Sequence, residues 1–403
     1  MPIRPTTVVG IGADGWAGLS RVARTALLGA SEIVGSERQL ALLPAALKAI
    51  PSRPLPSPLE PLLAELADGG GAGVCVLASG DPMLHGIGAT LARRLPAERL
   101  HVHPHVSAFA LACACVGWPE AEVELVSAVA RPPEVVARSL QPGRRLIAYA
   151  TGAGGAAAIA AVLRERGFGS SRFVVLEQLG GPGERALEST AEDWGSREAD
   201  PLHAVAIECL PDHGALVLPR TPGLPDEAFA SDGQLTKRYV RAIVLASLAP
   251  VPGALLWDIG AGNGSVSIEW LRAEPQARAI AVEADLERAA RASANALALG
   301  VPALEVVRGE APGALTGLPA PDTVFIGGGI SSPGLLEACW GALKPGGAAV
   351  ANAVTVEGER VLADARERHG GELTRIELAH AEPLGSFTAW RSRLPIVHWV
   401  ARK

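Results

Sequence analysis

The sequence predicts an α/β protein with two domains, and three observations lead to this prediction. Short apolar runs alternate along the chain with alanine- and leucine-rich segments of helical periodicity. Two glycine clusters, "VVGIGADGWAG" at 8–18 and "DIGAGNG" at 258–264, each begin in or follow an apolar run. The proline-rich segment 211–230 has neither a helical nor a strand period. We therefore expect domains at 1–210 and 231–403, joined by a linker at 211–230.

The candidate strands of the first domain are continuous apolar runs, which is typical of strands buried on both faces of a sheet. They are "TTVVG", "GVCVLAS", "RLHVHP", "RLIAYA", "RFVVLEQ" and "HAVAIEC". A further strand in "SEIVG" has Glu32 at its start and Gly35 at its end. The proline-rich stretch 51–61 is predicted to be a surface loop.

A helix near 235–248 opens the second domain, and seven candidate strands follow it. They are "ALLWDIG", "ARAIAVE", "ALEVVRG", "DTVFIGG", "AAVANAV", "ELTRIELAH" and "PIVHWVA". Helical stretches separate the first five strands, whereas only a loop separates the last two. This order favours a mostly parallel seven-stranded sheet that ends in an antiparallel strand.

Composition and charge narrow the range of partners. The 403 residues include 36 lysines and arginines against 42 aspartates and glutamates, a net charge of −6, so no overall positive field attracts nucleic acid or an anionic membrane. The 5 cysteines form no C-x-x-C pair, and no signal peptide is evident. No apolar run reaches the roughly 20 residues that cross a bilayer. We expect a cytoplasmic protein that binds neither nucleic acid nor membrane.

The second glycine cluster raises the question of which nucleotide it would bind. In a dinucleotide site, glycines let backbone N–H groups at a helix N-terminus approach a pyrophosphate. Here Asp258 lies just before the turn, where an acid repels a pyrophosphate but suits a ligand with an amino group. The turn contributes five candidate cofactor-binding residues: Gly260, Ala261, Gly262, Asn263 and Gly264.

Two further acids follow this turn in register. Glu283 lies 19 residues after Gly264, at the end of the next strand, where a carboxylate can accept both ribose hydroxyls. Glu310 and Ala311 lie at the end of the third strand, beside the expected position of an adenine ring. Acid, glycine turn, acid and acid form the pattern of S-adenosylmethionine sites in Rossmann-like methyltransferases. A turn that only packs a helix on a strand is the alternative.

Other motifs make residues 231–403 resemble the decarboxylating precorrin methyltransferases of cobalamin biosynthesis. These motifs are "DGQLTKR", "VANAVT" and "AEPLG". The resemblance implies that Thr236 lies beside S-adenosylmethionine and that Lys237 lies at the mouth of the pocket. Glu310 stands where this family more often has Asp, which keeps the carboxylate and lengthens its reach.

The first domain resembles the tetrapyrrole methylase superfamily over residues 5–210. The motifs are "ASGDPMLHGIG", "HPHVSAFALA" and "VVLEQLGGPGER". The pattern G-x-G-x-x-G in the first cluster alone suggests NAD, but no acid follows at the end of the second strand. The resemblance instead implies S-adenosylmethionine in a cleft between two α/β halves. Its predicted contacts are Gly10, Gly12, Gly80, Asp81 and Ser107.

The order of the two domains resembles the fused decarboxylating methyltransferases that act on precorrins at carbons 5 and 15. The resemblance implies that the N-terminal domain methylates carbon 5, while the C-terminal domain methylates carbon 15 and removes carbon dioxide from the ring C acetate. The expected conversion is of precorrin-6B to precorrin-8X, with one S-adenosylmethionine site in each domain. We also expect a homo-oligomer formed through the C-terminal domain.

A polycarboxylate substrate requires cationic groups near its pocket. The candidate substrate-binding residues are Lys237, Arg238, Arg241, Trp390 and Arg391. His380 and Glu382 are candidates for proton transfer or carboxylate handling. His101, His103 and His105 alternate like metal ligands, but a proline interrupts the run and no acid or cysteine is adjacent, so no metal is predicted.

Three alternatives stay open at this point. Within the same class, the substrate could contain cobalt, as in the anaerobic route. A Rossmann-like domain also suits an RNA methyltransferase, although the net charge is negative and no Asn/Asp-Pro-Pro-aromatic motif follows "DTVFIG". The third alternative is a non-enzymatic S-adenosylmethionine sensor or tetrapyrrole carrier. Measured turnover would exclude this alternative.

Overall fold

Two five-stranded sheets, one seven-stranded sheet and a two-stranded hairpin organise the part of the chain that the structure describes. That part comprises residues 5–68 and 73–403 of a computed structural model. The chain divides into two compact units. The first contains residues up to Pro133 and Pro142–Ala215, and the second contains Glu134–Gln141 and Leu216–Lys403. The predicted α/β class is confirmed in both.

The first sheet of the first unit has five parallel strands in the order β3-β2-β4-β1-β5. They are β1 (Thr6–Ile11), β2 (Glu32–Gly35), β3 (Ser52–Pro54), β4 (Val74–Ser79) and β5 (Leu100–His103). The short edge strand β3 lies in the segment for which the sequence predicted only a surface loop. Pro54 is tolerated there because one side of an edge strand needs no N–H donor.

The second sheet has the order β6-β7-β10-β8-β9, with β6 parallel to β7 and the other pairs antiparallel. Its strands are β6 (Val123–Ser127), β7 (Arg145–Tyr149), β8 (Arg172–Glu177), β9 (Arg185–Thr190) and β10 (His203–Glu208). The sequence analysis did not predict β6 and β9. Both are edge strands that contain charged residues, half-buried in β6 and exposed in β9, so neither contains a continuous apolar run.

Helices connect these strands. In the described part of the first unit they are α1 (Gly15–Gly18), α2 (Arg21–Leu28), α3 (Glu37–Ala41), α4 (Glu60–Ala67), α5 (Ile87–Ala92), α6 (Ala108–Val116), α7 (Gly155–Glu165) and α8 (Ala191–Trp194). Short 3₁₀ helices in the described chain are Ala45–Ala49, Ala97–Arg99, Glu120–Glu122, Pro133–Ser139, Asp226–Ala228 and Gly313–Leu315.

The second unit contains the predicted seven-stranded sheet, in the order β13-β12-β11-β14-β15-β19-β16. Its strands are β11 (Leu255–Ile259), β12 (Arg278–Glu283), β13 (Glu305–Arg308), β14 (Thr323–Ile326), β15 (Ala348–Ala353), β16 (Glu372–Ile376) and β19 (Ile396–Arg402). β11 to β15 are mutually parallel, and β19 pairs antiparallel with both β15 and β16. The prediction of a mostly parallel sheet with an antiparallel end is confirmed.

Between β16 and β19 the chain forms a hairpin rather than the predicted loop. Its strands are β17 (Ala379–Leu384) and β18 (Phe387–Ser392), which pair with each other and with no other described strand. Most of their residues are exposed. The run "ELTRIELAH" therefore belongs to two strands, because β16 ends at Ile376 and β17 begins three residues later.

Both faces of the seven-stranded sheet are covered, which explains the continuous apolar runs. Leu256 belongs to the apolar cluster on one face, whereas Leu255 and Trp257 belong to the cluster on the other. The covering helices are α9 (Arg238–Leu248), α10 (Ser265–Ala273), α11 (Leu286–Ala298), α12 (Leu335–Ala342) and α13 (Val356–His369). Side chains that alternate between two buried faces give a sequence without polar alternation.

The predicted linker divides between the two units. Its residues from Leu216 onward belong to the second unit, and three of its apolar side chains are buried there: Leu218, Leu224 and Phe229. The Leu224 N–H donates to the buried Glu269 carboxylate at 2.9 Å. Most of the segment therefore contributes to the core of the second unit. In the described residues, no helix combines the length and the apolar character that a membrane crossing requires.

Candidate functional site

A cavity of about 560 Å³ opens at the carboxyl ends of the parallel strands of the second unit. Its lining comes from the loop before α9 and from residues at the ends of the strands β11 to β15 and at the start of β19. Ligands of open α/β sheets bind at this edge, because the carboxyl ends of the strands and the N-termini of the helices meet there. The topology therefore assembles the candidate site from distant parts of the sequence.

The glycine turn after β11 requires glycine at each of its three positions. Gly260, Gly262 and Gly264 have φ angles of +66°, +59° and +79°, values that side chains strongly disfavour. A Cβ atom on Gly260 would lie 2.8 Å from the Gly328 Cα, and one on Gly262 would lie 3.1 Å from the Gln234 carbonyl oxygen. The turn thus packs backbone against backbone beside the cavity.

Glu283, at the end of β12, both fixes this turn and faces the cavity. Its Oε2 accepts the Gly262 N–H at 2.7 Å, and its Oε1 accepts the Asp285 N–H at 3.0 Å. The residue is 7% exposed and contributes to the cavity lining. Each carboxylate oxygen has two lone pairs, so each retains one acceptor position for a hydroxyl group of a ligand.

Asp258 has a different role from the one that the sequence suggested. The residue is 1% exposed and is not part of the cavity lining. Its Oδ2 accepts the Ser267 N–H at 3.0 Å and the Ser267 hydroxyl at 2.5 Å, in the first turn of α10. Burial raises the pKa of Asp258 to about 6, and the charge of Glu283 adds to this effect. Asp258 therefore organises the helix start rather than contacting a ligand amino group.

Asn263 also supports the cavity without lining it. It is fully buried, and its Nδ2 donates to the Asp232 carboxylate at 3.1 Å and to the Gln234 carbonyl at 2.8 Å. Its Oδ1 accepts the Arg291 Nε–H at 2.9 Å. The hydrogen bond from Arg288 lowers the pKa of Asp232. The Asn263 side chain thus joins the loop that precedes α9 to α11, and its contact with the cofactor stays a prediction.

Other candidates do lie in the cavity wall. Five of them contribute to the lining: Thr236, Lys237, Ala261, Glu310 and Ala311. The Lys237 Nζ lies 3.2 Å from the Gly233 carbonyl oxygen and the side chain is exposed. Gly264 lies just outside the lining, as the N-cap of α10. The cavity thus has acids on the β12–β13 side and a lysine on the loop before α9.

The structure removes Arg241 from the substrate-binding candidates. Its side chain is 0% exposed, and its Nε donates to the Glu269 carboxylate at 2.5 Å while Nη1 contacts Asp226 at 3.2 Å. A buried arginine with two carboxylate partners cannot leave them without a large cost. Arg238, one turn earlier, is exposed and donates to the Gly223 carbonyl at 2.8 Å. The two arginines lie on different faces of α9.

Four candidates lie on the hairpin β17–β18 and are not in the cavity lining: His380, Glu382, Trp390 and Arg391. Glu382 pairs with Arg391 at 3.4 Å and with Arg393 at 2.8 Å. His380 stacks on Tyr239 with a ring separation of 6.0 Å. Trp390 is 77% exposed. The structure therefore gathers these residues on a solvent-exposed hairpin and does not bring them to the cavity.

Several lining residues were not selected from the sequence. They are Arg288, Ser332, Asn352, Val354, Ile396 and the glycines 327–329. The motif "VANAVT" contains Asn352 and Val354, so the pattern was visible although these two positions were not singled out. Ile396 could not be found from local sequence, because it reaches the cavity only through the antiparallel return of β19.

In the first unit, two predicted positions, Gly10 and Gly80, meet His105 at the ends of β1, β4 and β5. A Cβ atom on Gly10 would lie 2.2 Å from the Gly80 carbonyl oxygen and 2.9 Å from His105. Gly80 has φ of +58° and donates its N–H to the Ile11 carbonyl at 3.0 Å. Because these three strands are adjacent and parallel, their loops form a glycine-rich surface at one edge of the sheet.

Polar contacts shape the loops around this surface. Asp81 Oδ1 accepts the Met83 N–H at 2.8 Å, and Ser107 Oγ accepts the Ala110 N–H at 3.0 Å as the N-cap of α6. Beside Gly12, the Asp14 Oδ1 and the His105 Nε2 are 3.2 Å apart. The sequence analysis had considered His105 only as a member of a histidine trio and had not selected Asp14.

The other two histidines of that trio have a different environment. The rings of His101 and His103 lie 4.6 Å apart on β5. Burial lowers the pKa of His103, and the neighbouring His101 adds to this effect. In the part of the chain that the structure describes, no three His, Cys, Asp or Glu side chains are placed to hold a metal ion.

Comparisons with known proteins match both units to families. Residues 6–194 match the tetrapyrrole (corrin/porphyrin) methylases, and residues 227–403 match the precorrin methyltransferase domain. A precorrin-6Y C(5,15)-methyltransferase (decarboxylating) from Sinorhizobium sp. is 45% identical over 98% of this chain and 95% of its own length. The protein of that name from Mycobacterium tuberculosis (strain CDC 1551 / Oshkosh) is 46% identical over 98% of this chain and 99% of its own length.

A shorter relative matches only the second unit. A probable cobalt-precorrin-6B C(15)-methyltransferase (decarboxylating) from Pyrobaculum calidifontis is 35% identical over 44% of this chain and 93% of its own length. Its match spans 183 residues. The second unit therefore resembles a protein that occurs without the first.

Proposed function

Since the chain belongs to the family of decarboxylating precorrin-6Y C(5,15)-methyltransferases, we propose that it methylates precorrin-6B at carbons 5 and 15 and decarboxylates the ring C acetate. The product is precorrin-8X, an intermediate of cobalamin biosynthesis. Each methylation consumes one S-adenosylmethionine. We further assign the methylation of carbon 5 to the first unit, and the methylation of carbon 15 and the decarboxylation to the second unit. The shorter relative of the second unit has only the C(15)-methyltransferase and decarboxylating activities in its name.

The observation that carries the proposal is the cavity of the second unit. Its volume of about 560 Å³ is within the range of about 300–1,000 Å³ that is typical of small-molecule sites. The Glu283 carboxylate presents one acceptor position per oxygen to it, which fits a ribose diol. Glu310 and Ala311 lie in the adjoining wall, where an adenine ring would follow the ribose. The residues present therefore fit S-adenosylmethionine.

The protein's part in the chemistry is chiefly placement. S-adenosylmethionine, when bound, supplies a methyl group that is already activated. The glycine turn and Glu283 hold the ligand, and the cavity wall keeps water from the reacting atoms. The electron-rich carbon of the macrocycle would form the new carbon–carbon bond as the carbon–sulfur bond breaks to leave S-adenosylhomocysteine, and the proton displaced from that carbon would pass to solvent.

Decarboxylation also needs little from the side chains. The bond between the acetate methylene and its carboxylate breaks, and carbon dioxide leaves. The electron pair passes into the conjugated macrocycle, and a proton from solvent or from a bound acid restores the methyl group. The substrate's own conjugation thus supplies the electron sink that in other enzymes a cofactor supplies.

A second S-adenosylmethionine site is proposed in the first unit. The close contact of Gly10 with Gly80, and the Ser107 cap of α6 beside Gly80, bring glycine-rich loops and a helix N-terminus to one edge of the sheet. The His105–Asp14 pair lies at the same edge. These features support one site per unit and two per chain.

Self-association through the second unit is also proposed. The hairpin β17–β18 and the segment after it expose large apolar side chains: Leu384 at 63%, Phe387 at 78%, Trp390 at 77% and Leu394 at 72%. Leu384 and Phe387 are cross-strand partners, and exposed apolar side chains that adjoin in this way mark interaction surfaces. Light scattering of the full chain and of a Phe387→Ser/Trp390→Ser double variant tests this: a monomeric wild-type protein would overturn it.

The proposed division of labour is tested by mass spectrometry of the product. The full chain, incubated with S-adenosylmethionine and metal-free precorrin-6B, should add two methyl groups and release one carbon dioxide. Asp81→Ala removes the acceptor of the Met83 N–H and opens the loop after β4. This variant should stop at the singly methylated, decarboxylated product, and so should the fragment 216–403, which contains the second unit without its segment Glu134–Gln141.

The control is Glu188→Ala, which removes an exposed carboxylate of the first unit that pairs with Arg172. It should behave like the unaltered protein. A fragment 216–403 that methylates but releases no carbon dioxide would move the decarboxylation to a site that needs the first unit. Turnover of cobalt-precorrin-6B but not of the metal-free substrate would assign the protein to the cobalt-containing route.

A further inference from the structure

A chain of hydrogen bonds in the second unit connects a buried histidine to the cavity wall. The His398 Nδ1 lies 2.7 Å from the Asn352 Oδ1, and the His398 Nε2 lies 3.0 Å from the Ser247 Oγ. Asn352 on β15 and His398 on β19 are direct partners in the antiparallel register. His398 is 4% exposed, whereas Asn352 belongs to the cavity lining. A polar chain thus runs from α9 through the sheet to the cavity.

The partners of His398 fix where its proton is. Burial lowers the pKa of His398, although the charge of Glu372 opposes this, and the lowered pKa favours the neutral ring, which has one N–H. The Asn352 Oδ1 can only accept, and therefore Nδ1 carries the hydrogen while Nε2 accepts from the Ser247 hydroxyl. The Ser247 Oγ also lies 3.1 Å from the Ile243 carbonyl oxygen, so its hydrogen has two acceptors within reach.

This arrangement leaves the Asn352 amide nitrogen for the cavity. Its Oδ1 is held by His398, and in the described structure no protein acceptor is bonded to its Nδ2. The side chain is half-buried and lines the cavity. The Nδ2 group has two N–H donors and no acceptor. It therefore suits a ligand atom that only accepts, and a carboxylate is the strongest such partner.

The position of Asn352 separates it from the acids of the cavity wall. In the sheet order, β12 and β13 lie on one side of β11, whereas β14 and β15 lie on the other. Glu283 and Glu310 follow β12 and β13, and Asn352 is on β15. Lys237, the lysine in the cavity wall, adds a positive charge for an anion. Asn352 and Lys237 thus offer donors apart from Glu283 and Glu310, whereas Arg288 lies on the helix that follows β12.

We infer that Asn352 donates a hydrogen bond to a carboxylate bound in this cavity and that His398 is a positioning residue, which fixes the orientation of the Asn352 amide. The inference rests on the proposed function of the second unit. Two ligands carry the required group: the amino-acid end of the cofactor and the acetate or propionate groups of the macrocycle. The contact would hold the ligand by its carboxylate while leaving the reacting carbon free.

The test compares Asn352→Ala and Asn352→Asp in the full chain. Asp keeps the shape of the side chain and its acceptor for the His398 N–H, but it replaces the donor with a second carboxylate. Calorimetry measures the affinity for S-adenosylhomocysteine and for 5′-methylthioadenosine, which lacks the amino-acid carboxylate. Steady-state kinetics measures KM and kcat for precorrin-6B. The control is Thr374→Ala, a surface change on β16 beside His398.

If the cofactor carboxylate is the partner, Asn352→Ala weakens S-adenosylhomocysteine binding about ten- to a hundredfold, and 5′-methylthioadenosine binding stays within twofold. If the macrocycle carboxylate is the partner, both affinities stay unchanged and KM for precorrin-6B rises by a similar factor. In either case Asn352→Asp has the larger effect, because two carboxylates repel. Equal losses for both nucleosides, or no change in any of the three quantities, overturn the inference.

The positioning role of His398 is tested by rescue. His398→Leu removes the donor, and His398→Asn restores an N–H close to the position of Nδ1. We expect His398→Leu to lose affinity for the same ligand as Asn352→Ala. His398→Asn should recover most of that affinity, and the two His398 variants should have similar melting temperatures. Equal losses in both variants would show that His398 acts only through packing. If the unaltered protein does not turn over precorrin-6B, the proposed function fails, and the nucleoside arm alone decides the inference.

Discussion

Replacing Glu283 by alanine should weaken both ligand binding and folding of the second unit. The carboxylate accepts the Gly262 N–H at 2.7 Å and the Asp285 N–H at 3.0 Å, and it is 7% exposed. Losing two charge-assisted hydrogen bonds at a nearly buried site should lower the free energy of unfolding by about 2–3 kcal/mol. For a unit of this size, the melting temperature should fall by about 4–12 °C.

The loss of ligand affinity has a separate origin. Two hydroxyl groups of a ribose would lose their shared acceptor, which costs on the order of 1.5–3 kcal/mol, or about ten- to a hundredfold in affinity. Glu283→Gln keeps one carbonyl oxygen but turns an NH₂ group toward one of the two backbone N–H donors. Its effects on both quantities should therefore lie between those of the unaltered protein and of Glu283→Ala.

The assay combines calorimetric titration with S-adenosylhomocysteine and differential scanning calorimetry of the full chain. The unaltered protein should bind two ligands per chain, and Glu283→Ala should retain one at the original affinity. Glu305→Ala, an exposed carboxylate at the start of β13, is the control and should change neither quantity. A lower melting temperature with two unchanged sites would show that Glu283 only supports the turn. An unchanged melting temperature would contradict the two backbone contacts.

Two further predictions concern stability. The pKa of Asp258 is raised from 3.8 to about 6 in the folded protein. Between these two pH values the folded state therefore binds more protons than the unfolded state. The contribution of Asp258 to the free energy of unfolding is lost as the pH rises through this window. Asp258→Asn should therefore gain about 2–3 kcal/mol relative to the unaltered protein from pH 4 to pH 7; urea unfolding that gives parallel pH profiles would contradict this. Fragment 216–403 should melt well above fragment 231–403. The shorter fragment lacks three buried apolar side chains, each of which contributes about 1.5–3 kcal/mol to the free energy of unfolding. Equal melting temperatures in calorimetry would show that the segment 216–230 adds no stability.

The sequence predicted the buried central strands, whereas it missed the edge strands β3, β6 and β9 and the hairpin β17–β18, for a physical reason. A strand such as β11 is buried on both faces, so each of its residues is apolar or satisfied internally, and the run stands out. β9 and the hairpin β17–β18 have exposed faces with charged residues, so their sequences contain no continuous apolar run. Their pairing partners depend on the topology of the whole fold and not on the local sequence. The segment 211–230 was predicted to be a linker because it has no helical or strand periodicity. Three isolated apolar side chains nevertheless pack its residues 216–230 into the core of the second unit.

The same contrast holds for the site. The local backbone of the turn requires glycines with positive φ, and an acid at the end of a strand can accept the N–H groups of that turn. Such local requirements are visible in the sequence, and the turn at 260–264 and Glu283 were predicted from them. Cations were chosen by charge alone, and charge does not reveal burial. Arg241 is fully enclosed by Glu269 and Asp226, whereas Arg238, three residues earlier, is exposed. Their difference depends on the face of α9 that the rest of the fold covers.

The two acids around the glycine turn show how a site can be formed before its ligand arrives. Asp258 uses one oxygen for the Ser267 N–H and hydroxyl and faces no cavity, so it sets the start of α10. Glu283 divides its oxygens between two backbone N–H groups and keeps an acceptor position on each. A ligand that binds to those positions meets a carboxylate whose orientation the protein has already fixed, and little conformational freedom is lost on binding. The sequence pattern of acid, turn and acid therefore combines one purely structural carboxylate with one that supports the turn and that, in the proposed function, would also accept the ligand.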